Sequence, residues 1–274
     1  MDSRGDGGNI AASDFTQSDL EYTFNYDEKI QKASWDGGSQ YVSFMYDPMG
    51  NRTIKKSVIG SPNPTTTQRK YIVDIAAALP VVLLEIDPSD SSLKKSYIYA
   101  DGQILAQYDG DPAANPPADI YFYLHDRLGS VRQVIDAAAA VVNHYTYEPY
   151  GQTLDSAETV SNPWRFTGQY WDAEIQEYHL RARQYNPFLG RFTARDPVFG
   201  IARQPLTLNQ YLYCVNDPMN RTDLSGNMST TELVITEGIE GAIWGALGGA
   251  TEGLIHELFE YANGGEFDVT DILL

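Results

Sequence analysis

A chain of 274 residues with 42% hydrophobic residues is long enough for one large β domain or two small ones, each with a real core. With 37 acidic against 19 basic residues the net charge is −18, which argues against nucleic acid and anionic membrane surfaces as partners. The single cysteine, Cys214, excludes an intramolecular disulfide framework and a cysteine-rich zinc site, and four scattered histidines show no metal-ligand spacing, so no metal and no cofactor is expected.

Residues 1–20 are rich in Gly, Ser and Asp and have no basic start followed by an apolar run. They read as a flexible N-terminus without a signal peptide, so that export would need another route. From there the aromatics set the pattern: 19 Tyr, 10 Phe and 4 Trp favour half-buried pleated surface. Tyr22, Phe24 and Tyr26 alternate and end in Asp27; Tyr41, Phe44 and Tyr46 lead to Asp47 and the turn "PMGNR". Aromatics two apart share a strand face, Asp caps the bend, and Gly50 supplies positive φ, so the unit is strand, turn, strand. It recurs in 97–110, 121–136 and 144–152, each a hairpin or half of one. The breaks at 60–68, 87–92 and 109–119 separate strands, and the apolar run 71–87, interrupted by Pro80, reads as two buried strands around a bend. His125, His144 and Cys214 fall on strand-like stretches, Cys214 as a small buried hydrophobe.

Further along stand, in order, "YFYLHDRLGSVR", "YEPYGQ", "RFTGQYWDAEIQEYHLRARQYNPFLGRFTARDP" and "LNQYLYCVNDPMNRTDLSG". From about Ile120 to Gly226 the chain therefore resembles the Rhs repeat-associated core, which ends the repeat array of Rhs, YD-repeat and Tc-toxin C-type proteins. The resemblance implies a mainly β fold: an antiparallel ribbon of YD-repeat hairpins forming part of a spiral shell. It divides the chain into YD-repeat strands over 21–119, the core over 120–227 and a variable segment over 228–274. The partner it implies is the chain's own C-terminal segment, held inside the shell, with an upstream shell or a secretion-system component as further candidates. It also implies a bacterial protein, cytoplasmic before export and then secreted or at the cell surface, in a polymorphic-toxin or contact-competition system.

In the best-studied members of that family the core is an intramolecular aspartyl protease that cuts just after a second "DPxG"-type motif. Carried over by position, its Arg and two Asp fall on Arg183, Asp196 and Asp223, and the cut falls at Gly226, Asn227 and Met228. Two carboxylates brought close cannot both ionise, so one can activate water while the other protonates the scissile amide, with a guanidinium beside them. His179 is a weak neighbour of this site. Two departures bear on the cut: in the second motif Leu224 stands where the family usually has Pro and Asn227 where a large apolar residue usually precedes the scissile bond, and the first motif, "DPVFG" at 196–200, has one residue more than the usual spacing before its Gly. A plug without proteolysis stays open, as do an adhesive surface protein using Trp164 and Trp171 to stack on sugars, and a remnant of a longer protein. After Gly226, apolar residues from Ile239 to Leu258 recur at helical spacing, predicting an amphipathic helix over about 231–262 whose uncharged stretch is too short to span a bilayer.

Overall fold

The computed structural model describes residues 19–76, 79–100, 102–197 and 205–227. The expected helix over 231–262, Met228, and the end of the first motif at residues 198–200 lie outside them.

Twelve strands form one sheet in sequence order, each antiparallel to the next. They are β1 (Glu21–Phe24), β2 (Ile30–Trp35), β3 (Gln40–Tyr46), β4 (Arg52–Ile59), β5 (Thr65–Asp74) and β6 (Val81–Ile86), followed by β7 (Leu93–Ala100), β8 (Gln103–Tyr108), β9 (Ile120–His125), β10 (Val131–Asp136), β11 (Val141–Tyr147) and β12 (Thr153–Glu158). A second sheet of four short strands follows: β13 (Tyr170–Asp172), β14 (Glu177–Leu180), β15 (Arg183–Asn186) and β16 (Arg191–Phe192). The run 71–87 forms the end of β5 and all of β6, two paired strands around a bend, as its composition predicts.

One turn recurs through the large sheet. The backbone N–H of Asn25, Asp47, Asp126, Asp136 and Glu148 bonds the carbonyl four residues on, at 2.8–3.0 Å. In the first four the side-chain oxygen also accepts the N–H groups two and four residues ahead, as Asp126 does from Leu128 and Ser130 at 3.0 Å each. The fourth residue of each turn has positive φ: Glu28, Gly50, Gly129, Ala139 and Gly151. This is the three-residue hairpin loop in which a left-handed residue makes a bulge, and each of these hairpins carries a register shift. The Asp of the repeat is thus the acceptor that closes the loop. The Tyr before it belongs to the sheet face.

That face wraps the small sheet. At about 4.8 Å per strand, β1 and β11 would stand about 50 Å apart in a flat sheet. Yet on β14 Glu177 accepts a bond from Tyr22 of β1 at 2.8 Å, while its neighbour Tyr178 donates to Gly151, just past β11, at 3.1 Å. The large sheet is therefore strongly curled, and the small one is its filling.

The interface is aromatic and polar at once. Trp164 meets Tyr97, Tyr99 and Tyr170 edge-on at 5.3–6.0 Å between ring centres. Tyr97 and Tyr170 both donate to Glu85, at 2.7 and 3.1 Å, and Tyr123 bonds Gln107 and Asn162. A phenol buries apolar area and still needs a partner for its hydroxyl, which is why Tyr rather than Phe dominates here. Ion pairs add a second tie: Arg52 of β4 donates to Asp172 of β13 at 2.6 Å beneath the rings of Phe44, Tyr71 and Tyr170. Lys55 reaches Asp172 at 3.2 Å and Glu174 at 3.0 Å. Burial alone would raise the Asp172 pKa, but the two cations overcome it and hold it down at about 2.

Two local expectations are corrected. Cys214 does not lie on a strand: Cys214–Asn216 is a 3-10 turn with all three residues at positive φ. The chain pairs once, Leu212 with Arg191, and then bends where Asn216 and Asp217 donate back to Tyr213 and Cys214. The cysteine is buried as expected, and desolvation pushes its thiol pKa up, which makes it inert rather than nucleophilic. Trp164 is 6% exposed inside the aromatic cluster, with no face left for a sugar; Trp171 is half-buried against Tyr178, with Arg165 above it.

Candidate functional site at the end of the core

Leu180 and Arg183 pair across a two-residue turn, Arg181 and Ala182, that joins β14 to β15. The segment 223–227 crosses this turn. The N–H of Ala182 donates to the Ser225 carbonyl at 3.1 Å, and the Arg181 guanidinium reaches the Leu224 carbonyl. Gly226 sits at φ +72°, and a Cβ there would lie 2.0 Å from the Leu180 carbonyl oxygen. Only glycine permits an approach this close.

The first residue of β15 is Arg183, and its side chain organises the site. One nitrogen, Nη2, lies 2.7 Å from Asp196 and 3.7 Å from Asp223; Nη1 donates to the Gln210 carbonyl at 2.9 Å, and Nε donates to the Gly226 carbonyl. Phe192 of β16 closes the other side, its ring centre 3.7 Å from the guanidinium carbon. All three charged side chains are at most 7% exposed. Desolvation lowers the Arg183 pKa, and the two carboxylates work against that shift.

The sequence-predicted residues Arg183, Asp196 and Asp223 thus meet around one guanidinium, with Gly226 bonded to it. Asp223 accepts the Gly226 N–H at 2.8 Å, so the carboxylate and the residues that follow it form one turn. Asn227 is held through its N–H to Ser225 Oγ at 3.0 Å. Sequence reasoning missed Gln210, which exchanges two bonds with the Asp196 backbone at 2.9 and 2.8 Å and so holds that backbone in place. It also missed Ser225, which lies inside the quoted motif as its variable position. His179 keeps to the edge: its ring contacts Gln184, and burial beside Arg52 lowers its pKa well below the ordinary value. A cavity of about 240 Å³ opens next to the segment, lined by Lys29, Asn51, His179, Arg181, Ser225 and Asn227 among others. It is roomy enough for several waters and has the polar partners they need. Among the described residues no cluster of side chains suits a metal ion, and no helix is long and apolar enough to cross a membrane.

Comparison with known proteins agrees with this architecture. The tRNA3(Ser)-specific nuclease WapA of Bacillus spizizenii is 30% identical over 211 residues, which are 75% of this chain and 8% of that protein. Toxin protein Tse5 of Pseudomonas aeruginosa is 28% identical over 219 residues, and salivary gland surface protein 1 of Aedes aegypti is 30% identical over 234. They cover 76% and 81% of this chain, and 15% and 6% of those proteins. This chain therefore spans a small part of the length of its relatives. Among solved structures, the TcdB2-TccC3-Cdc42 crystal structure superposes with a TM-score of 0.61 at 20% identity, over 80% of this chain and 11% of that one. The Teneurin YD-shell family matches residues 8–219, and the chain belongs to it as an Rhs/YD-repeat protein.

Proposed function

We propose that this chain is the closing part of a YD-repeat shell that holds the polypeptide following residue 227, and that it cuts itself free of that polypeptide after Asn227. The observation that carries the cut is Arg183, whose one nitrogen faces both Asp196 and Asp223 while its Nε binds the carbonyl next to the scissile bond. In the hydrolysis, Asp196, ion-paired at 2.7 Å, is the ionised carboxylate that takes a proton from water. The water oxygen adds to the Asn227 carbonyl carbon, the bond to the Met228 nitrogen breaks, and Asp223 delivers its proton to that nitrogen. The products are a carboxyl at Asn227 and an amine at Met228.

The relatives named as a nuclease and as a toxin support a setting in which such a shell carries a toxic C-terminal segment, secreted or delivered out of a bacterial cell. The test is the intact mass of the purified protein beside Asp196→Asn and Asp223→Asn. The wild type should give two pieces split after residue 227 while both variants stay whole. Three unbroken chains would leave a shell closed by a plug that does no chemistry.

A further inference from the structure

Arg183 does not reach the carbonyl that the reaction attacks. Its Nε is committed to the Gly226 carbonyl, its Nη1 to Gln210 and its Nη2 to the carboxylates. The carbonyl of Asn227, one residue on, instead receives the hydroxyl of Ser225 at 3.0 Å. The same oxygen of Ser225 accepts the Asn227 N–H at 3.0 Å, which fixes the hydroxyl's orientation. Asp223 Oδ1 is a further acceptor within reach of the same hydroxyl, farther away at 3.3 Å.

We propose that Ser225 is a catalytic residue of the self-cleavage: its hydroxyl polarises the carbonyl of the Asn227–Met228 bond and stabilises the oxygen as it gains negative charge. The inference rests on the proteolytic reading above. A donor aimed at a developing oxyanion accelerates acyl transfer when it is held in place beforehand, because no dipole then has to turn during the reaction. Ser225 is so held: Ala182 binds its carbonyl at 3.1 Å, Arg181 binds the carbonyl before it, and Gly226 is wedged against Leu180 after it. No covalent bond to Ser225 forms. The hydroxyl proton stays on its oxygen, donated more strongly as water adds to the carbonyl carbon and relaxed again when the Met228 amine departs.

A role confined to shaping the turn would use the same bonds, so the experiment reads the carbonyl itself. Asn227–Met228 is the only Asn–Met pair in the sequence. A chain labelled with carbonyl-13C asparagine and 15N methionine therefore gives one coupled amide signal that reports this carbonyl. In the Asp196→Asn background, which keeps the chain whole, Ser225→Ala should move the carbonyl resonance upfield and Ser225→Thr should leave it near the parent. In the otherwise native chain, Ser225→Ala should slow the cut by about 100-fold, as loss of one such donor does elsewhere, and Ser225→Thr should restore most of it. An unmoved carbonyl resonance, or cutting by Ser225→Ala at the parent rate, overturns the proposal. A rate loss that Thr does not restore and that follows a fall in urea stability also overturns it, in favour of a turn-shaping role. If the parent chain stays whole, the proteolytic reading falls and the catalytic role with it, even where the resonance shift shows that the hydrogen bond is made.

Discussion

Glu177 is buried completely in β14, opposite Asp172 on β13. Tyr22 and Asn186 both donate to its Oε1, while Oε2 has no hydrogen-bond partner. Burial, with ionised Asp172 nearby, pushes its pKa from 4.5 up to about 8 against the pull of those two donors. The folded chain therefore keeps this proton at neutral pH and the unfolded chain releases it. Below 4.5 the group is protonated in both states and contributes nothing; stability falls as pH rises from there, and the loss levels off above about 8. By pH 7 the unfolded state has gained about 2.5 pH units of advantage, roughly 3 kcal/mol at about 1.4 kcal/mol per unit.

Glu177→Gln removes this effect. The amide oxygen still serves Tyr22 and Asn186, and the amide nitrogen takes the place of the protonated Oε2 with one N–H more than the carboxyl's single O–H, an extra unmet donor that costs about 1 kcal/mol. The variant should be about 2 kcal/mol more stable than the parent at pH 7 and about 1 kcal/mol less stable at pH 4. Urea unfolding followed by tryptophan fluorescence from pH 4 to 8 measures the difference. A gap that stays constant across that range would refute the assignment of a buried, protonated carboxyl.

Asp172→Asn leaves Arg52 and Lys55 buried without their shared counter-charge and should cost about 3–5 kcal/mol at neutral pH. Because the Asp172 pKa is depressed, the stability it contributes is present above its ordinary value of 3.8 and is lost as pH falls toward about 2, so parent and variant should converge in acid unfolding. Ala139 is exposed at φ +61°, so Ala139→Gly should raise the midpoint of thermal unfolding by relieving about 1 kcal/mol of left-handed strain. Gly226→Ala drives a Cβ into the Leu180 carbonyl and should abolish the cut in the intact-mass assay while leaving the circular dichroism of the sheet unchanged. Asn227→Leu restores the apolar residue usual before such a bond and should increase the fraction cut, read in the same assay.

The strands were legible because the repeat writes both of its constraints into adjacent residues: the tyrosine faces the filling, and the aspartate closes the turn. The grammar even extends past its letters, since Asn25 and Glu148 hold the backbone position that Asp holds elsewhere. The meeting of Arg183, Asp196 and Asp223 was legible only through resemblance. Nothing in the local pattern around Arg183 tells it from Arg181, which lies two residues away and donates to the carbonyls of Pro80 and Leu224 and to the Gln169 side chain. The ion-pair cluster on Asp172 was not legible, because Arg52 belongs to a repeat turn and its partner lies 120 residues on. Cys214 misled through alternation: "YLYCVN" has the period of a strand, but past the bridge between Leu212 and Arg191 the chain bends into a 3-10 turn at Cys214.

The geometry also orders events. Arg183 lies on the small sheet, Asp196 follows its last strand, and Asp223 ends the core, so the trio exists only after the chain through residue 227 has closed over the turn at Arg181 and Ala182. That turn is in turn held from the large sheet: Lys29 donates to the carbonyls of Arg181 and Ala182 at 3.4 and 3.2 Å, and Arg181 donates to Pro80 at 2.9 Å. Two hairpins of the curled sheet therefore brace the platform on which the segment 223–227 lies. A chain that has not wrapped its filling lacks the brace, the trio and the polarised carbonyl together. The proposed cut then follows completion of the fold without any separate trigger, and Lys29→Met, which removes the donor to the Arg181 and Ala182 carbonyls, should slow it by releasing the platform.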